Sequence, residues 1–304
     1  MTAQDDIEGS SAPLIEHLAE LRTRLIKSVL AFLIGMIVCF AFADNILAFL
    51  LTPIEETMRA LGDPSPRMQY TAPQEYFFTQ IRVSVVGGLI VSFPVIAHQL
   101  WRFVAPGLYK NEKNAFLPFL VASPLLFLLG AAFAHYVVVP LAMQFFLGFA
   151  DVRDVVAGAI PTEVPDGVVI TAPAVTEDTG IDIVFDGKVN ESLDITLKMI
   201  VAFGLCFQLP VLLTLMGKAG LVSAKGLAGV RKYAVVGILI LAALVTPPDV
   251  ITQIILFVVV FGLYEVSIWL VRWVEHKREK QLKADGLWDE DIHGSGTVED
   301  EKPS

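Results

Sequence analysis

Residues 250–273 read VITQIILFVVVFGLYEVSIWLVRW, an apolar run in which Glu265 is the only charged residue before Arg272. A hydrocarbon layer about 30 Å thick requires roughly 20 apolar residues in an α-helix, so this run is long enough to cross a bilayer. The whole chain has 304 residues and is 55% hydrophobic, a composition typical of membrane proteins. The runs that we predict to cross the membrane are Leu25–Ala43, Phe77–His98, Ala115–Phe149, Leu193–Met216, Tyr233–Val245 and Val250–Trp273.

These six runs predict an all-α integral membrane protein, because an open polypeptide in lipid satisfies its backbone polar groups only as a helix. The fifth run is only about 13 residues, or about 20 Å, which is less than the hydrocarbon thickness. We therefore expect short fifth and sixth spans and a thinner bilayer beside them. Prolines inside three runs predict kinked helices in a curved bundle; they are Pro94, Pro118, Pro124, Pro140 and Pro210.

The flanking lysines and arginines are distributed unevenly between the two sides of the predicted membrane. One side has few of them: Arg59 and Arg67 in its first loop, and Arg153 and Lys188 in its second. The positive-inside rule then places both termini in the cytoplasm. The basic flanks on the cytoplasmic side are Arg22, Arg24, Lys27, Arg102, Lys110, Lys113, Lys218, Lys225, Arg231, Lys232, Arg272, Lys277, Arg278, Lys280 and Lys283.

This predicted topology divides the chain into three parts. Residues 1–24 are predicted to be a cytoplasmic amphipathic segment, residues 25–273 the six-helix transmembrane domain, and residues 274–304 a charged, disordered cytoplasmic tail. The outer loop at 150–192 contains two β-branched stretches around residues 176–180, which predict a small β-hairpin.

Turn residues are predicted at two places where proline interrupts the apolar pattern. Consecutive prolines cannot continue a helix, and an aspartate after them can cap the next one. The predicted structural turns involve Pro53, Pro247, Pro248 and Asp249.

Several function classes are excluded by the composition and the motifs. The net charge of −10 argues against nucleic-acid binding. No metal-ligand spacing, phosphate-binding glycine loop or nucleophile elbow occurs, so we expect no metal, no cofactor and no enzymatic activity. Cys39 and Cys206 lie inside apolar runs and are interpreted as small hydrophobic residues. His98 and His135 lie near opposite ends of their spans, too far apart to pair.

Four short motifs keep a fixed order relative to the spans. They are HLAELRTRL at residues 17–25, FVAPGLYKNE at residues 103–112, AFGLCFQLP at residues 202–210 and LVTPPD at residues 244–249. Taken together, these motifs resemble the TatC family, the multispanning receptor subunits of the twin-arginine protein translocase. The resemblance runs from about Pro13 to Trp273.

The resemblance implies a protein of the bacterial inner membrane that binds signal peptides with two adjacent arginines. Such a protein exports folded cargo using the proton-motive force. The family's signal-binding glutamates fall on Glu20 and Glu112, and carboxylates suit this role because they accept forked hydrogen bonds from guanidinium groups. The other residues assigned to the signal-peptide site are His17, Arg22, Arg24 and Phe103.

The implied partners are the single-span subunits TatA and TatB, membrane lipids, and further copies within the receptor complex. Related proteins often carry glutamate at the place of Gln208, and glutamine cannot relay a proton there. Gln208 is left with two interpretations, a hydrogen bond to a partner helix or a helix-packing amide within the chain.

A six-span secondary transporter for a small solute is the alternative function. It predicts an internal repeat and buried ionisable residues near the middle of the membrane. No repeat is found, and Glu265 and Arg272 lie toward the cytoplasmic end of their span.

Overall fold

The computed structural model describes residues 3–61, 65–104, 113–148, 187–246 and 250–284. In chain order, its elements are α1 (Ala3–Ala41), α2 (Ala43–Ala60), β1 (Met68–Gln69), α3 (Pro73–Val104), α4 (Lys113–Phe133), a π-helical turn (Ala134–Val138) with helix continuing through 139–148, β2 (Gly187–Lys188), α5 (Val189–Cys206), α6 (Leu209–Lys218), α7 (Ala224–Gly229), α8 (Arg231–Val245) and α9 (Val250–Ala284).

Helix length and composition confirm the membrane-spanning architecture. Within the described ranges, five helical stretches are long and apolar enough to cross a bilayer. The fifth predicted run corresponds to α8, which has 15 residues and a length of about 23 Å. The five long stretches are Leu18–Ala41, Pro73–Phe103, Pro118–Gly148, Val189–Lys218 and Val250–Lys280.

Three sequence predictions are corrected by the helix boundaries. The sixth span is not short, since α9 has 35 residues. The same helix continues through residues 274–284, which were predicted to be disordered. Pro53 is not in a turn but lies buried inside α2, where its carbonyl accepts a 2.7 Å hydrogen bond from the Thr57 hydroxyl. The chain leaves helical geometry earlier, at Phe42, which is the residue between α1 and α2.

The part of the chain that the structure describes contains one two-stranded sheet. The strands β1 and β2 pair in parallel, with Met68 opposite Gly187 and Gln69 opposite Lys188. This contact joins the two loops at one end of the bundle, which we call the sheet end. The opposite end carries α7 and is called the α7 end. The hairpin predicted within 150–192 and the turn at Pro247, Pro248 and Asp249 lie outside the described residues.

Close contact between α1 and α3 depends on glycine. A Cβ placed on Gly88 would lie 2.6 Å from the backbone nitrogen of Met36, and one placed on Gly35 would lie 2.9 Å from the Gly88 carbonyl oxygen. Small residues allow membrane helices to approach closely, where van der Waals contact supplies much of the attraction. The rest of α1 is largely exposed: only 11% of its apolar window is buried. Its position therefore depends mainly on α3.

The remaining helices surround a continuous apolar core. Phe203 of α5 is fully buried in it, as are Leu256 and Val260 of α9. A second cluster between α3, α4 and α6 includes a stacked pair, Phe93 and Phe127, with ring centroids 3.8 Å apart. Together these clusters pack α3, α4, α5, α6 and α9 against one another.

Candidate functional site

The α1 helix brings Glu20 and Arg24 together because residues four apart share a helix face. The Arg24 Nε donates a 3.0 Å hydrogen bond to Glu20 Oε1, and its Nη2 also contacts that oxygen. The side chain of Arg24 is only 15% exposed, whereas that of Glu20 is 36% exposed. The arginine therefore holds the Glu20 carboxylate in one orientation. Arg22, by contrast, is exposed.

Counting residues from the contact of Gly35 with Gly88 puts Glu20 and Phe103 at a similar height on α1 and α3. Gly35 contacts Gly88 where the two antiparallel helices cross, and each predicted site residue lies fifteen positions further toward the α7 end. Equal numbers of residues give an equal rise of about 22 Å along each helix. Phe103 lies near the end of α3 and is half-buried. By this count, an aromatic side chain and a carboxylate occur at a similar height.

Two residues of the predicted site lie wholly or partly outside the described part of the chain. His17 belongs to α1, but its side chain lies outside the described part, and Glu112 lies outside it altogether. The proximity of Glu20 and Glu112 therefore stays a prediction. Within the described ranges, no group of three or more His, Cys, Asp or Glu residues could hold a metal ion.

A second polar arrangement crosses the bundle interior at Gln208. This residue lies where α5 ends and α6 begins, and its amide makes two hydrogen bonds to Ser123 of α4. The Ser123 hydroxyl donates to Gln208 Oε1 at 2.6 Å, and Gln208 Nε2 donates to the Ser123 carbonyl at 2.9 Å. Trp101 Nε1 donates to the same hydroxyl at 3.1 Å. Within this chain the Gln208 amide therefore packs α4 against the junction of α5 and α6, and its contact with a partner helix stays a prediction.

Sequence reasoning missed Trp101 and Ser123 as members of this network. Both are buried, with exposures of 4% and 1%. A buried indole N–H requires an acceptor, so a tryptophan at the end of an apolar run was the available signal. Because three helices meet through these side chains, the network fixes α3 and α4 against the junction of α5 and α6.

Replacing Ser123 by alanine is expected to destabilise the protein by about 1–2 kcal/mol, since it leaves the Trp101 indole N–H without its acceptor and Gln208 Oε1 without its donor. Thermal unfolding in detergent measures the loss. The matched control is Ser267→Ala, because Ser267 is equally buried but bonds only to the Leu263 carbonyl of its own helix. Equal stabilities of the two variants would contradict a role for the network.

The α7 end is held to α9 by polar contacts between separate elements. Arg231 of α8 makes two hydrogen bonds, of 2.7 and 2.8 Å, to the Glu265 carboxylate. The Tyr264 hydroxyl donates to the Leu227 carbonyl at 2.7 Å, and Glu275 accepts from the Ala224 backbone nitrogen at 3.0 Å. Glu265 is therefore a structural partner of Arg231.

Comparison with known proteins gives the family. The family described as Sec-independent protein translocase protein (TatC) matches residues 16–258. The chain belongs to the TatC family. The TatC of Magnetococcus marinus is 41% identical over 280 residues, covering 92% of this chain and 91% of that protein. The TatC of Aquifex aeolicus is 37% identical over 272 residues, covering 90% of this chain and all of that protein.

A solved structure agrees with this membership. The crystal structure described as the twin arginine translocase receptor TatC is similar with a TM-score of 0.66 and 36% identity, covering 85% of this chain and 99% of that one. The TatC-family chain is accordingly a multi-pass membrane protein and a component of a Sec-independent protein translocase. The family is not enzymatic.

Proposed function

We propose that this TatC-family protein is the receptor for signal peptides carrying two adjacent arginines and the core subunit that exports folded proteins across the inner membrane. The observation that carries the proposal is the Glu20 carboxylate, held by Arg24 and still 36% exposed at the height of Phe103. An incoming guanidinium forms a charge-assisted hydrogen bond with such a group. Glu112 supplies the second carboxylate in this proposal.

The apolar part of the signal adds the remaining affinity. An exposed ion pair contributes only about 0–1 kcal/mol, so two carboxylates in water would not suffice. The half-buried Phe103 and the exposed leucines of α1, Leu18, Leu21 and Leu25, offer apolar surface near Glu20. We place this surface and both termini on the cytoplasmic side, following the distribution of lysine and arginine.

Transport in this proposal draws on the proton-motive force and on the partners TatA and TatB. The helix α8 is about 23 Å long, against a hydrocarbon layer of about 30 Å, so the bilayer beside it is expected to thin. The partner subunits pack on this side, around α8, α9 and Gln208. A thinner bilayer lowers the barrier that a folded cargo meets.

Site-specific photocrosslinking tests the receptor assignment. A photoreactive residue at position 21 or 113, next to each proposed carboxylate so that both carboxylates stay in place, is expected to crosslink to a precursor with paired arginines and to lose that crosslink when both arginines are lysine. Position 55 is the control, because Glu55 forms a comparable ion pair with Arg59 on α2, toward the sheet end. Crosslinks that are indifferent to the arginines, or equally strong from position 55, would refute the proposal.

A further inference from the structure

Two exposed cations lie at the same depth on neighbouring membrane helices near the sheet end. Arg82 of α3 and Lys198 of α5 each come nine residues after the first residue of their helix, Pro73 and Val189. Nine residues rise about 14 Å, and both helices begin at the sheet end. The side chains are 48% and 66% exposed.

Their depth corresponds to the boundary between hydrocarbon and headgroups. The two spans have 31 and 30 residues, or about 45 Å, so each extends about 8 Å beyond a 30 Å hydrocarbon layer at either end. Arg82 and Lys198 then attach about 6 Å inside the hydrocarbon edge. Long basic side chains at such a depth extend outward, and their charges reach the level of the lipid phosphates.

One carboxylate lies between the two cations. Asp194 Oδ2 is 2.5 Å from Lys198 Nζ, and its Oδ1 is 3.9 Å from Arg82 Nη1. Arg82 also donates a 2.7 Å hydrogen bond to Asn190 Oδ1, which is a neutral acceptor. These three charged groups leave a net charge of +1 at the lipid boundary. A single carboxylate, itself 41% exposed, does not balance both cations.

The surface around the cations is apolar. On α3, Phe78 and Val85 lie four residues before and three residues after Arg82, and both are exposed on the same helix face. This combination of two cations above an apolar face matches the chemistry of a phospholipid, in which a charged phosphate is joined to acyl chains. An arginine can hold such a phosphate with two hydrogen bonds, and lysine adds a point charge.

We infer that Arg82 and Lys198 bind the phosphate of an anionic phospholipid in the leaflet at the sheet end. Asp194 competes with the lipid phosphate for the two cations and so moderates the affinity of the site. The acyl chains lie along Phe78 and Val85. The net charge of +1 favours an anionic lipid over a zwitterionic one.

Native mass spectrometry of the purified full-length protein, titrated with phosphatidylglycerol or phosphatidylcholine, tests this inference. Phosphatidylglycerol is expected to bind more tightly, and the double variant Arg82→Gln/Lys198→Gln is expected to lose about tenfold in affinity. Lys188→Gln is the matched control, because Lys188 is exposed at the same end and is balanced by Glu191. This control is expected to bind like the unaltered protein.

A second variant is expected to bind the lipid more tightly, which a folding defect would not produce. Asp194→Asn removes the competing carboxylate and is expected to raise the affinity for phosphatidylglycerol several-fold. Inorganic phosphate, added at millimolar concentration, is expected not to displace the lipid. Unchanged binding in the double variant, weaker binding in Asp194→Asn, or displacement by inorganic phosphate would each overturn the assignment.

Discussion

Replacing Glu20 by glutamine is expected to lower the affinity for a twin-arginine signal peptide by about ten- to a hundredfold. A charge-assisted hydrogen bond contributes about 1.5–3 kcal/mol, and each 1.4 kcal/mol corresponds to a factor of ten. Glutamine keeps the size of the side chain but offers no negative charge to either the peptide or Arg24. Fluorescence anisotropy of a labelled signal peptide with the protein in nanodiscs measures the change.

The control for this variant is Glu55→Gln, which breaks the ion pair with Arg59, another pair four residues apart in an α-helix. Because Glu55 lies on α2, toward the sheet end, its replacement is expected to leave peptide affinity unchanged. A second comparison uses a peptide with paired lysines, whose weaker binding is expected to change less. If Glu20→Gln and Glu55→Gln bound the twin-arginine peptide equally well, the role of Glu20 would be wrong.

The other large effect is expected from Gly88→Leu. A Cβ at this position would lie 2.6 and 2.7 Å from the backbone nitrogen and Cα of Met36, and backbone atoms cannot rotate away as a side-chain tip can. Forcing α1 away from α3 is expected to cost about 1–3 kcal/mol or more. The predicted result is a lower midpoint of thermal unfolding in detergent. Size-exclusion chromatography of heated samples measures this midpoint.

The matched control is Gly262→Leu, in the middle of α9, where a Cβ has no neighbouring atom within 4 Å. Leucine there faces open surface and is expected to be tolerated. Since Gly88 holds the helix that carries Glu20, Gly88→Leu is also expected to weaken signal-peptide binding. Equal unfolding midpoints for the two leucine variants would show that the close contact between α1 and α3 is dispensable.

Much of the fold was predictable because membrane insertion depends on local sequence. Six apolar runs and the bilayer thickness were enough to predict the five long helical stretches and the short run that became α8, but not α2. Helix ends were predicted less well. The sixth span extends as helix to Ala284, since lysine, arginine and glutamate are good helix formers and the polar residues 274–284 continue α9 into water.

The candidate site was predictable only in part. The positions of Glu20 and Arg24, four residues apart, already predict a shared helix face. The partners of Gln208 were not predictable, because Ser123 lies 85 residues away in sequence and on another helix. Pro53 was misassigned for a related reason. A proline signals a turn, but its burial in α2 depends on packing that local sequence does not contain.

The sequence by itself determined the membrane class, the helical spans and the absence of a titratable group at position 208, because hydrophobicity and charge are properties of single residues. Only the tertiary structure decided which faces of those helices meet. An apolar run is hydrophobic all round, so it does not specify its rotation or register against its neighbours. The contact of Gly35 with Gly88 and the network around Ser123 depend on that rotation and register, and so does the common depth of Arg82 and Lys198.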